Sequence, residues 1–122
     1  MAGFTHAGEN LVIEEIFRKR EVYIGLLKSD PSDQGEVNEV NGISYARQQI
    51  KFIESVDGQT YNELDVEFPT AKQNWGWISH IGFFSSKTGG DLIAYSELDY
   101  KKEIRAADVY RIPKAFCVIR ID

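Results

Sequence analysis

The chain has 122 residues and a net charge of −5, from 14 basic and 19 acidic side chains. That length suits one domain, able to bury roughly two thirds of the surface its unfolded form exposes without disulfide staples. The acidic balance argues against proteins that spread a basic face on nucleic acid or an anionic membrane, and 27% charged residues argue against wholesale disorder.

Residues 1–10 read as a polar N-terminal arm and residues 11–122 as a single β-domain that begins with a short helix. The arm lacks the charged start and apolar run of a signal peptide. No stretch reaches the roughly 18 apolar residues of a membrane helix. Asn10 is the expected N-cap of a helix over residues 11–19. Leu11, Val12 and Ile16 share a helical face with Phe17 at its edge, and Glu14/Arg18 and Glu15/Lys19 are acid-first pairs four apart. So short a helix must dock on something, either its own sheet or a neighbouring subunit.

An apolar run over residues 22–27 has strand length, and the Pro-, Gly-, Asn- and Asp-rich stretch over 29–42 is a loop. Residues 44–53 form the next expected strand. Asp57-Gly58 is a hairpin-type turn, and Leu64, Val66 and Phe68 alternate with acids in a strand closed by Pro69. Residues 77–85 and 92–98 make a hairpin through Lys87-Thr88-Gly89-Gly90-Asp91. Its first strand is apolar on both faces and therefore central. Residues 101–106 and 108–112 are short edge pieces. In the last strand Ala115, Cys117, Ile119 and Ile121 share one face, and Phe116 and Val118 the other. The count is seven or eight short strands, so the fold class is all-β: one β-sandwich or barrel-like domain with a short N-terminal helix.

Patterns that carry chemistry are scarce. His6 and His80 are the two histidines, and neither belongs to a metal-ligand spacing; His80 reads as a packed strand residue. A Ser–His–Asp site is spatial and stays open on sequence grounds, although no G-x-S-x-G elbow, P-loop or G-x-G-x-x-G occurs. Asp30, Asp33, Glu36 and Glu39 lie in a stretch without a basic residue, but not at EF-hand spacing, and read as a solvated acidic loop. Arg18-Lys19-Arg20 and Lys101-Lys102 are basic spots read as solvated faces. Cys117 is the only cysteine and is expected to be buried and inert, in a protein made in a reducing cytoplasm. Trp75 and Trp77 flank Gly76, and strand alternation would place both indoles on one side, as a sugar-stacking platform or, more commonly for such a pair, with one or both packing a core or a subunit contact. With Phe4, Leu11 and Phe17 they are the candidate interface or ligand contacts. No catalytic residue, metal ligand or cofactor site is expected, and the chain reads as a non-enzyme.

Several motifs together resemble a family of small tailed-bacteriophage structural proteins. They are Y-I-G-L-L-K-S-D-P-S-D from Tyr23, N-G-I-S-Y-A-R-Q-Q-I from Asn41, V-E-F-P-T-A from Val66, W-G-W-I-S-H-I-G-F-F from Trp75, T-G-G-D-L-I-A-Y from Thr88 and A-F-C-V-I-R-I-D from Ala115. Members are commonly labelled phage tail fibre protein, and similar small β-proteins serve as capsid cement or decoration subunits. Lys101-Lys102-Glu103-Ile104-Arg105 is more charged than the family pattern. The resemblance implies a virion structural protein made in the host bacterial cytoplasm, expected first as a capsid decoration subunit. The alternative is a tail-fibre or baseplate subunit, with carbohydrate (host receptor) binding as a further option. Implied partners are further copies of itself, a trimer being favoured by capsid three-fold positions, and the major capsid protein or tail and baseplate proteins. The N-terminal arm would then reach across neighbouring subunits.

Overall fold

In the computed structural model, which describes residues 2–32 and 37–121, the helix opens at Thr5 rather than Asn10. Helix α1 spans His6–Ile13, and the extended Thr5 accepts a hydrogen bond from the Gly8 amide on its Oγ1 at 3.1 Å. Residues 6–10 of the expected arm are therefore helical. Asn10 is used elsewhere: its Oδ1 accepts from the Gly58 amide at 2.9 Å, tying α1 to the body of the protein. The chain continues as a π-helical turn over Glu14–Arg18, closed by the Lys19 amide donating to the Glu14 carbonyl. Both pairs expected on the helix are present, Arg18–Glu14 and Lys19–Glu15, each at 2.6 Å. The partner of this helical segment is its own domain. Ile13 and Phe17 are buried, and Phe17 meets Phe52 and Phe83 edge-on at 5.6 and 6.5 Å between ring centroids.

Eight strands follow among the described residues: β1 Val22–Leu27, β2 Gln48–Ile50, β3 Gln59–Tyr61, β4 Val66–Glu67, β5 Gly76–Phe84, β6 Leu92–Ile104, β7 Arg111–Ile112 and β8 Val118–Arg120. A four-stranded antiparallel sheet runs in the order β2-β1-β5-β6, and two-stranded pairs β3-β8 and β4-β7 complete the fold. The domain is all-β and sandwich- or barrel-like, and β1 and β5 are its inner strands, as continuous apolar runs require. One core joins Ile24, Leu26, Ile78, Ile81 and Phe83 of the large sheet to Val66, Ile112 and Ile119 of the small ones and to Phe68 and Cys117 beside them.

Several strands differ from expectation. Those at 64–68 and 115–121 contract to β4 and β8, and β3 is not anticipated. The strand expected over residues 44–53 contracts to β2, because Ser44 takes a positive φ of 69° and residues 44–47 turn to meet other loops. The pieces at 92–98 and 101–106 are one strand, β6. Ile78 pairs with Lys102 while His80 pairs with Glu97, so residues 98–101 bulge out opposite Ser79. The piece at 108–112 contracts to β7. Asp57 and Gly58, with φ of 52° and 77°, form the left-handed pair that a tight hairpin turn demands.

Candidate functional site

The most elaborated polar cluster lies where residues 38–47 run beside β1. The Val40 amide donates to the Leu26 carbonyl at 2.9 Å, and an isolated bridge sets Glu39 beside Leu27. Glu39 is thereby delivered to Arg47, whose Nε and Nη2 each donate to one of its carboxylate oxygens at 2.9 Å. Tyr45 donates its hydroxyl to Glu39 and accepts from the Leu26 amide at 3.0 Å. Burial, and then the bond to Glu39, push the Tyr45 hydroxyl well above its ordinary pKa, which keeps it a proton donor. The remaining nitrogen of Arg47, Nη1, donates to the carbonyls of Ser86 and Gly89 at 2.9 and 2.7 Å. Gly25 closes the cluster from below: a Cβ there would lie 2.7 Å from the Glu39 carboxylate and 2.9 Å from the Tyr45 hydroxyl.

All three Arg47 nitrogens are engaged, and so are both Glu39 oxygens, so the cluster is a brace. What it braces is the β5–β6 hairpin tip, residues 85–91, where Gly89 and Gly90 take positive φ values of 64° and 70°. Glu39 accordingly departs from the expected solvated acidic loop. It is a half-buried member of an ion pair, and Asp33 and Glu36 lie outside the described residues.

Ser79, His80 and Asp30 come together without forming a hydrolytic triad. Ser79 Oγ sits 2.7 Å from His80 Nδ1, but His80 Nε2 is 3.9 Å from Asp30, beyond hydrogen-bond reach. Both Ser79 and His80 are buried in β5. The Asp30 carboxylate is instead taken by Ser32, whose hydroxyl and amide donate to it and hold it below the usual range. Among the described residues no group of three His, Cys, Asp or Glu side chains is placed to hold a metal ion. Cys117 is buried, and burial pushes its thiol up to about 12.

The five candidate contact residues divide into two groups. Phe4, Leu11 and Trp77 are more than half exposed, whereas Phe17 and Trp75 are buried. The two tryptophans do not share a side as alternation predicts, because Gly76 between them has a φ of 88° and breaks the extended geometry. Trp75 turns inward, donates from Nε1 to the Ile43 carbonyl at 3.2 Å and packs edge-on against Tyr45. No two-indole platform exists. Further apolar side chains face outward on the β3–β8 pair, where Tyr61 lies opposite Val118 and Phe116 is also exposed. Tyr100 projects from the β6 bulge. Missed on sequence grounds were Arg47, Gly25 and the fully buried Asn62. The Asn62 amide donates to the Leu64 and Pro113 carbonyls and its Oδ1 accepts from Cys117.

The fold is that of a small antiparallel β-domain in which the Glu39–Arg47 cluster braces a loop and Trp77, Tyr61, Phe116 and Tyr100 are exposed, features of a structural module. A family model described as Podophage GP4 fiber I protein gp80 matches residues 3–119, and the chain belongs to that family. It is thus a bacteriophage fibre structural protein, a component of the virion. No curated protein matches the chain. Among the described residues no helix is long and apolar enough to cross a membrane.

Proposed function

We propose that this chain is a tail-fibre-associated subunit of a podophage virion that works by binding neighbouring fibre polypeptides, without catalysis. The observation that carries this reading is the family match over residues 3–119, whose description names a fibre component; it favours the tail over the capsid shell expected first. The fold supports it physically. A braced hairpin tip and a helix locked to its own sheet leave little to order on assembly, which lowers the entropic cost of association. Exposed Trp77, Tyr61, Phe116 and Tyr100 are residue types that anchor protein interfaces. Self-association belongs to the reading, with a trimer as the form a three-fold axis would hold.

The test is electron microscopy of particles produced with and without this gene product, together with gold labelling of an epitope tag on it. Label and missing density at the tail are the expected result. Label over the capsid shell, with tails intact in its absence, would overturn the fibre reading in favour of capsid decoration.

A further inference from the structure

A cleft of about 380 Å³ opens where the π-helical turn hands over to β1, between residues 18–21 and the β2 segment at 49–52. Its lining carries four cations, Arg18, Lys19, Arg20 and Lys51, against two acids, Glu21 and Glu63, on a chain whose net charge is −5. On sequence alone residues 18–20 read as a solvated face, a run of three cations being too short to make a patch, and Lys51 lies far along the chain from them. Antiparallel pairing of β1 with β2, Val22 opposite Ile50, is what brings Lys51 to the same place.

The cations are not equivalent. Lys19 is engaged with Glu15 at 2.6 Å. Arg18 is anchored twice, Nε donating to the Phe52 carbonyl at 3.1 Å and Nη1 to Glu14 at 2.6 Å. Glu14 is itself positioned, its other oxygen accepting from the Ser55 amide and hydroxyl at 3.2 and 3.0 Å. This support fixes the Arg18 guanidinium plane and leaves Nη2 without a hydrogen-bond partner among the described residues. Arg20 and Lys51 form no ion pair among the described residues.

We propose that this cleft binds an oxyanion, a carboxylate or phosphate group, with Arg18 as the fixed donor and Arg20 and Lys51 as the cations that close over it. A guanidinium already held at Nε and Nη1 loses little freedom when Nη2 takes a third acceptor, and a charge-assisted bond is stronger than a neutral one. The π-helical turn supports the placement, because such turns widen a helix locally and recur at functional sites. Glu21 is partly occupied by the Tyr23 hydroxyl, which donates to it at 3.2 Å, and so competes less for the cations.

The experiment is a ¹⁵N-resolved NMR titration of the full chain with pyrophosphate and, separately, with citrate, each against sodium chloride at matched ionic strength. Saturable shifts confined to residues 17–21 and 49–52 are expected. They should weaken about tenfold or more in Arg20→Glu/Lys51→Glu, two exposed positions whose exchange leaves the rest of the spectrum unchanged. Arg18→Lys, which keeps the charge and loses the fork, should weaken binding without abolishing it. A response to both probes assigns general oxyanion recognition; pyrophosphate alone assigns phosphate and citrate alone carboxylate. Shifts that never saturate, that appear equally at Lys101 and Lys102, or that persist in the double variant overturn the site. None of these outcomes bears on where the protein sits in the virion.

Discussion

The guanidinium of Arg47 lies 3.6 Å from the ring centroid of Phe84, stacked on an aromatic side chain of β5 while its nitrogens hold Glu39 and the hairpin tip. Stacking and a two-point carboxylate bond both depend on a planar fork, which lysine lacks. Charge alone would not reproduce this contact.

Replacing Arg47 by Ala should therefore destabilise the domain by about 3 kcal/mol, since it strands a half-buried Glu39 and frees two carbonyls. Arg47→Lys should recover less than half of that loss. Urea unfolding of the three proteins checks the ranking, and amide exchange over residues 85–91 should rise in both variants.

The two tryptophans should behave oppositely. Trp75→Ala opens a cavity in the core and should cost about 3–5 kcal/mol, whereas Trp77→Ala should change stability by about 0.5 kcal/mol or less. If Trp77 serves assembly, its loss appears in self-association or fibre binding measured by sedimentation, with the melting temperature unmoved. A melting temperature equally lowered by both substitutions would contradict the inward and outward placement.

The N-terminal helix should loosen as the solution becomes more basic. His6 Nδ1 lies 2.6 Å from a Glu9 oxygen, and that hydrogen bond raises the imidazole pKa above its ordinary 6.5. A group whose folded pKa is raised adds its stability in full below the unfolded value and loses it as pH climbs through the folded one. Protection of the α1 amides, corrected for intrinsic exchange, should fall across that window. His6→Gln should flatten the dependence, and a step surviving in that variant would place its origin elsewhere.

Cys117 should resist thiol reagents in the folded protein. Raising its pKa from 9.0 to about 12 lowers the thiolate population by about a thousandfold, before steric shielding is counted. Reaction with Ellman's reagent at pH 8 should be negligible in buffer and rapid and stoichiometric in denaturant. Prompt labelling of native protein would show that the β8 approach opens readily.

Local periodicity determines a good deal here. The run from Trp77 to Phe84 is apolar on both faces and so announces a central strand, and the structure puts β5 between β1 and β6. The alternation of Cys117 and Ile119 with Phe116 and Val118 likewise separates two faces, of which the structure covers the first, while Ala115, expected with it, is exposed at a φ of 66°. Asp57-Gly58 and Gly89-Gly90 declare their turns because few other residues tolerate positive φ. The family resemblance was legible for the same reason: its motifs are strands and turns, which are contiguous.

Tertiary structure decided whatever depends on residues far apart, or on one residue overriding a pattern. Gly76, with no Cβ to forbid a φ of 88°, sends Trp75 inward against the rule of alternation. Asn10 looked like a cap because cap chemistry is local, yet its partner amide is 48 positions away at Gly58. Arg47 reaches Phe84 and Gly89 only because β1, beside which residues 38–47 run, is paired with β5, and Lys51 joins Arg18 and Arg20 only because β1 and β2 are paired. A polar side chain in a sequence carries its donors openly, but the acceptors it will meet are chosen by the sheet.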